Sequence, residues 1–194
     1  RPVRPSCGAA RKLFAERGFH GTTLTDITSA AGRSPAAFYR YYSDKEDLLA
    51  VLAESFLRDV VAPPRARVRS PASPDDTDFF VSAVTGYWNM FKQNIGIMVA
   101  VDQLAAGQPR FAAVQHEFRR FGVDVVRSSV LHAQDQGYGG ADLDPEHIAL
   151  AISLLFERFT AVYLREDTST LGVARTDEDA VRTLSTIWQK TLYG

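Results

Sequence analysis

The sequence predicts an all-α protein, with a small three-helix N-terminal domain followed by a larger helical domain. Three observations carry this. Apolar residues recur three and four apart along most of the chain, and no run of strict apolar alternation appears. Helix-start pairs punctuate that pattern at Thr23/Asp26, Ser34/Pro35, Asp144/Pro145 and Thr176/Asp179. A proline-rich break, APPRARVRSPASPDD, divides the chain. Its four prolines and interspersed arginines cannot build a helix interior. The predicted domains are therefore 1–62, a linker at 63–76, and 77–194.

Each element follows in order. AARKLFAERG is a short amphipathic helix ended by Gly18. TLTDITSAAG begins with Thr23 and Asp26 at capping-box spacing and places Leu24, Ile27 and Ala31 on one face. Gly32 ends it. Ser34 caps the next helix, with Pro35 at its first position, where a missing N–H does no harm. There Phe38 and Tyr42 share one face, while Pro35, Ala36, Tyr39 and Arg40 lie towards another. A fourth helix starts at Ser43 or Asp44, carries acidic residues in its first turn, and stops near Pro63-Pro64. Beyond the break, Phe80, Val84, Tyr87 and Phe91 fall at helical spacing, and IGIMVAVDQLAAG is apolar almost all round, as a buried helix would be. Further helices are predicted from Pro109 to about Gln136, from Asp144-Pro145 to about Arg165, and from TDED to the end, with GYGGADLD as a loop.

Composition narrows the class. A hydrophobic fraction of 45% and a charged fraction of 23% are those of a globular protein. No apolar run is expected to approach the roughly 18 residues that span a bilayer, and no signal peptide or membrane partner is predicted. Cys7 is the only cysteine, so an internal disulfide and a cysteine metal cluster are ruled out, and a reducing cytoplasm is the expected location. Charge is uneven. Residues 1–43 carry seven basic side chains (Arg1, Arg4, Arg11, Lys12, Arg17, Arg33, Arg40) against Glu16 and Asp26, a net +5 in a chain of net −1. A polyanion partner for this third suits that distribution, as does a solvated surface.

Two short helices joined by a glycine turn and supported by a preceding helix are a helix-turn-helix. Such a unit places its second helix in the DNA major groove while the rest grips phosphates. Ala36 and Ala37 are small enough for close approach, Tyr39 and Arg40 reach outward, and Lys45 stands at a helix start where its ammonium and backbone N–H groups could meet one phosphate. The run LFAERGFHGTTLTDITSAAGRSPAAFYRYYSDKEDLL then resembles the N-terminal domain of TetR-family transcriptional repressors. The agreeing features are Phe14, Gly18-Phe19, Asp26-Ile27, Ala31-Gly32, Ser34, Phe38-Tyr39, Tyr41-Tyr42 and Lys45 to Leu49. It covers about the first 60 residues.

The resemblance implies a homodimer that reads a palindromic double-stranded DNA operator and is released by an effector bound to the C-terminal domain. By motif position, Thr23 and Thr25 would meet backbone or base edges. Pro35, Ala36, Ala37 and Arg40 would face the groove, Tyr39, Tyr41 and Lys45 would mainly hold phosphates, and Arg33 and Ser34 are further DNA-binding candidates. Three departures stand out. Arg33 occupies a turn position usually aliphatic in this family, where its stem could cover the core and its guanidinium reach a phosphate. Ser6 and Cys7 replace an aliphatic pair, and Gly8 weakens the first helix by roughly 1 kcal/mol relative to Ala, so that helix is expected to begin late. Pro35 offers no hydrogen bond, which leaves direct readout mainly to Arg40 and Thr25.

In the second domain, Tyr87, Trp88, Phe91, Met98, Asp102, Phe118, Phe121 and Phe159 are candidates to line a pocket for a hydrophobic small-molecule effector, against ordinary helical core. The last two helices carry apolar stripes, and by the resemblance they would pair with their symmetry copies. Phe156, Tyr163, Leu184, Ile187 and Trp188 are the interface candidates, which sequence alone cannot separate from core. No cofactor or metal is expected. Four scattered histidines, an HEFRR lacking a second ligand, and no nucleophile elbow or P-loop argue against an enzyme. The alternative is a helical small-molecule carrier or sensor that does not bind DNA specifically.

Overall fold

A computed structural model of the chain describes residues 5–61, 70–139, 143–173 and 176–194. Most of the predicted linker (63–69), the middle of the GYGGADLD loop (140–142), Arg1 and Arg4 lie outside the described residues. Among the described residues, eight α-helices follow one another: α1 (Pro5–Arg17), α2 (Leu24–Ala30), α3 (Pro35–Tyr39), α4 (Lys45–Val61), α5 (Thr77–Ala105), α6 (Pro109–Asp135), α7 (Pro145–Arg165) and α8 (Asp177–Tyr193). A 3-10 turn, Thr168–Leu171, precedes α8. No strand occurs among the described residues, so the fold is all-α as predicted.

The helix starts follow their local chemistry. Thr23 and Asp26 form a reciprocal capping box at α2, and Ser34 caps α3 with Pro35 in its first turn. Asp144 caps α7 in the same way, again with Pro in the first turn. The Asp76 carboxylate accepts from the Phe79 N–H at 3.1 Å and the Ala72 N–H at 2.8 Å, fixing the start of α5. Gly18 and Gly32 take left-handed φ of 74° and 61° after α1 and α2, a conformation that glycine adopts without a Cβ clash. One expectation is corrected: α1 does not begin late. Its first turns are held by packing. Ser6 is buried, and the Cys7 Sγ lies 3.3 Å from the Tyr42 hydroxyl, which offsets the weak helix propensity of Gly8.

The chain forms two compact units, Arg1–Pro63 with Asn94–Phe118, and Pro64–Gln93 with Arg119–Gly194. The first unit thus takes in residues 94–118, which the sequence boundary assigned to the second domain. Phe14, Phe19, Ile27, Phe38, Leu48, Leu49 and Leu52 form its core together with Ile97, Val101 and Phe111. The end of α5 reaches this core because residue 96 is glycine. A Cβ there would fall 2.4 Å from the Ala15 nitrogen and 2.5 Å from the Phe14 carbonyl carbon, both backbone atoms of α1. Beside it, the Arg11 guanidinium donates to the Asn94 side-chain amide oxygen, Oδ1, at 2.6 Å.

The second unit is built on Phe80, Val84, Trp88, Val126, Val130, Ile152, Phe156, Leu184 and Trp188. Aromatic rings interlock there, with the Trp188 ring 5.4 Å from Phe80 and 6.0 Å from Phe156 in edge-on contacts. α7 is long and apolar enough to cross a membrane by length and composition, although Glu157 and Arg158 interrupt its apolar run. Its apolar residues serve two faces. Ala149, Ile152, Phe156, Thr160 and Tyr163 turn inward, whereas Leu150, Leu154 and Leu155 remain 40–44% exposed.

Candidate nucleic-acid interface

The first unit presents α3 to solvent on one side only. Phe38 and Tyr42 are 1% and 2% exposed, with rings 5.1 Å apart, while Tyr39 and Tyr41 are each 58% exposed. Helical spacing explains the split: residues four apart share a face, and their neighbours point elsewhere. Pro35, Ala36 and Arg40 are exposed and Ala37 is half-buried. The outward face of α3 is therefore small at its start and carries Tyr39 and Arg40 at its end.

The turn and the cap complete the surface. Arg33 is exposed, and its N–H donates to the Thr28 carbonyl at 2.9 Å, which fixes the turn without using the guanidinium. Neither Arg33 nor Arg40 has an ion-pair partner among the described residues. Other cations of this unit are engaged: Lys12 with Glu16 at 3.9 Å, Arg17 with Asp26 at 3.6 Å, and Arg11 with Asn94. Thr25 is exposed, whereas the Thr23 hydroxyl is occupied at the cap, accepting from the Asp26 N–H and donating to the Asp26 carboxylate. Those hydrogen bonds from Thr23, with a smaller contribution from Arg17, hold the Asp26 pKa below its usual value. Ser34 is likewise occupied, accepting from the Ala37 N–H at 3.2 Å.

Lys45 is corrected. Its ammonium does not stand outward at the head of α4. It donates to the Phe19 and Thr22 carbonyl oxygens at 2.8 Å each, and lies 4.2 Å from the centre of the Phe19 ring. The loop between α1 and α2 leaves two carbonyls without helical partners there, and a cation on a long stem satisfies both. Two of its three N–H bonds are thus used to lock that loop to α4. The sequence signal for this was weak, since position and residue type suit a phosphate contact equally well.

The pocket candidates divide between the two units. Tyr87, Trp88, Phe91, Phe121 and Phe159 belong to the second unit, but Met98, Asp102 and Phe118 belong to the first. Asp102 is exposed and accepts from the Gln115 amide at 2.6 Å, and the Phe118 ring lies 5.6 Å from that of Phe56. Four of the five interface candidates, Phe156, Tyr163, Leu184 and Trp188, are buried in the core of their own unit, so they are corrected to core residues. Only Ile187 is exposed, at 37%. The exposed leucines of α7 were missed because core and outer stripes of that helix are equally apolar. No cluster of three or more His, Cys, Asp or Glu that could hold a metal occurs among the described residues.

This geometry defines a helix-turn-helix protein, and comparison with known proteins agrees. Residues 8–52 match the family described as bacterial regulatory proteins, tetR family. The HTH-type transcriptional repressor KstR2 of Mycobacterium tuberculosis is 29% identical over 140 residues, 70% of this chain and 68% of that protein. The solved structure of the ketosteroid transcriptional regulator KstR2 of Mycobacterium tuberculosis superposes with a TM-score of 0.66 at 24% identity, covering 100% of this chain and 97% of that one. A bacterial regulatory protein of the tetR family from Rhodococcus RHA1 gives 0.69 at 22% identity, over 97% and 95% of the two chains, a likeness of fold. Residues 8–52 thus carry the N-terminal helix-turn-helix of bacterial regulatory proteins of the tetR family, and the relatives named above are transcriptional regulators.

Proposed function

We propose that the protein is a cytoplasmic, non-catalytic repressor that binds a palindromic operator as a homodimer and leaves it when a hydrophobic effector binds. The observation that carries this reading is the exposed face of α3 and its preceding turn, with Arg33 and Arg40 exposed and without an ion-pair partner among the described residues. Arg40 has the reach and fork geometry to read a guanine edge, and Arg33 suits a phosphate. Pro35, Ala36 and Ala37 supply a low profile against the bases. Thr25, Tyr39 and Tyr41 make backbone or base contacts around them. Thr23 and Ser34 act by capping the helices that carry these groups, and Lys45 acts by locking the loop.

Dimerisation follows from energetics as well as family. One half-site gives weak, salt-sensitive binding, and two recognition helices about 34–36 Å apart match successive major grooves. Leu150, Leu154 and Leu155 of α7, with Ile187 of α8, provide exposed apolar surface on the two last helices, where a second copy would pack. A relative named for ketosteroid regulation supports a lipid-like effector held in the second unit. The test is selection of bound duplexes from a random DNA pool at physiological salt. Enrichment of a palindrome supports the proposal, and recovery of unselected DNA overturns it.

A further inference from the structure

The second unit holds hydroxyls that its own fold does not use. Tyr87 on α5, with Ser153 and Thr160 on α7, has a buried hydroxyl oxygen without a hydrogen-bond partner in this chain, and so do they. Ser153 and Thr160 lie two turns apart on one face of α7, the face of Phe156. The Tyr87 ring is 5.6 Å from both Phe156 and Phe91. Thr160 is completely buried. Opposite Ser153, α6 presents Gly122, where even an added Cβ would stay 3.9 Å from the Ser153 Oγ.

The charges nearby cancel. Arg119 on α6 donates to both carboxylate oxygens of Glu157 on α7, at 2.9 and 2.8 Å. Burial pushes the Tyr87 phenol well above its usual pKa, and the charge of Glu157 adds to that, although the Thr160 hydroxyl, close but outside hydrogen-bond geometry, acts against it. Tyr87 is therefore a neutral donor at any physiological pH. Unpaired hydroxyls are rare inside native proteins and mark places where another group completes them. An anion would gain no net positive charge here.

We infer that Tyr87, Ser153 and Thr160 are the polar anchors of the effector site, and that the effector is an uncharged, mostly apolar molecule carrying a carbonyl or hydroxyl oxygen. This rests on the ligand-responsive reading above and specifies its chemistry. Phe91 and Phe156 supply the apolar wall, and the hydroxyls orient the oxygen.

The full chain is titrated with 2-decanone, 1-decanol and decanoate while tryptophan fluorescence is read. The neutral probes should bind at least about tenfold more tightly than decanoate. Tyr87→Phe and Thr160→Val should each weaken 2-decanone by roughly three- to tenfold, the worth of one neutral hydrogen bond. Without any probe, both variants should melt at a higher temperature than the parent, because each removes an unpaired buried hydroxyl. Decanoate binding as tightly as 2-decanone overturns the uncharged class and leaves the effector reading standing. Unchanged ketone binding in the variants, or a lower melting temperature of both without probe, overturns the anchor assignment. Failure of all three probes overturns the inference, and release of the selected operator duplex by an apolar cell extract then judges the effector reading separately.

Discussion

The two units treat their polar side chains in opposite ways. In the first, hydroxyls near the exposed face are consumed locally: Thr23 and Ser34 cap α2 and α3, and the Thr22 hydroxyl donates to the Gly18 carbonyl at 2.8 Å. Arg33, Arg40 and Tyr39 stand exposed on the outward face. In the second, Tyr87, Ser153 and Thr160 are unsatisfied inside the unit. A surface that meets a large polyanion needs a rigid frame with its cations turned out. A site that meets a small apolar molecule needs its donors turned in.

That contrast can be broken or sharpened, starting with the largest effect. Gly96→Ala should destabilise the protein by about 3 kcal/mol, at the upper end of overpacking costs, because the new methyl meets α1 backbone that cannot rotate away. Gly86→Ala in the same helix meets open space and should instead stabilise it by about 0.5–1 kcal/mol. Urea denaturation of both variants checks the pair. Next, Leu154→Glu places a charge in the exposed leucine face of α7 and should convert a dimer to a monomer in sedimentation, without loss of helicity.

Lys45→Met should cost about 2 kcal/mol of stability, the worth of charged hydrogen bonds to two carbonyls, and weaken DNA binding evenly across sequences. A variant of parental stability that lost only DNA affinity would restore Lys45 as a phosphate contact. The smallest effect concerns Asp26, whose folded pKa is lowered. Its stabilising contribution is present above the ordinary carboxylate pKa and is lost as pH falls through the folded value. The stability difference between parent and Asp26→Asn should therefore be small at pH 7 and vanish in strong acid, which denaturation at the two pH values would read.

Much of the first unit was legible in the sequence because its signals are local. Capping pairs, glycine stops and the Phe38/Tyr42 spacing act within a few residues, so they can be read without knowing what packs on them. Lys45 was misassigned because its partners, Phe19 and Thr22, lie more than twenty residues away. The reach of Asn94–Phe118 into the first unit depends on Gly96 meeting α1, which no local pattern announces. In the second unit, Phe156, Leu184 and Trp188 could not be told from interface residues, because core and dimer surfaces select the same apolar types. Ser153 and Thr160 did leave a trace, as polar residues seven apart on an apolar helix face.

The central claim is that the outward face of α3 reads bases, with Arg40 as its chief reader. Duplex selection from a random pool, run in parallel with the parent and with Arg40→Ala, tests it most directly. The account predicts the same palindrome from both, with one base position per half-site relaxed in the variant and affinity lower by about 1–3 kcal/mol for the parent's best site. Identical base preferences from the two proteins would contradict it.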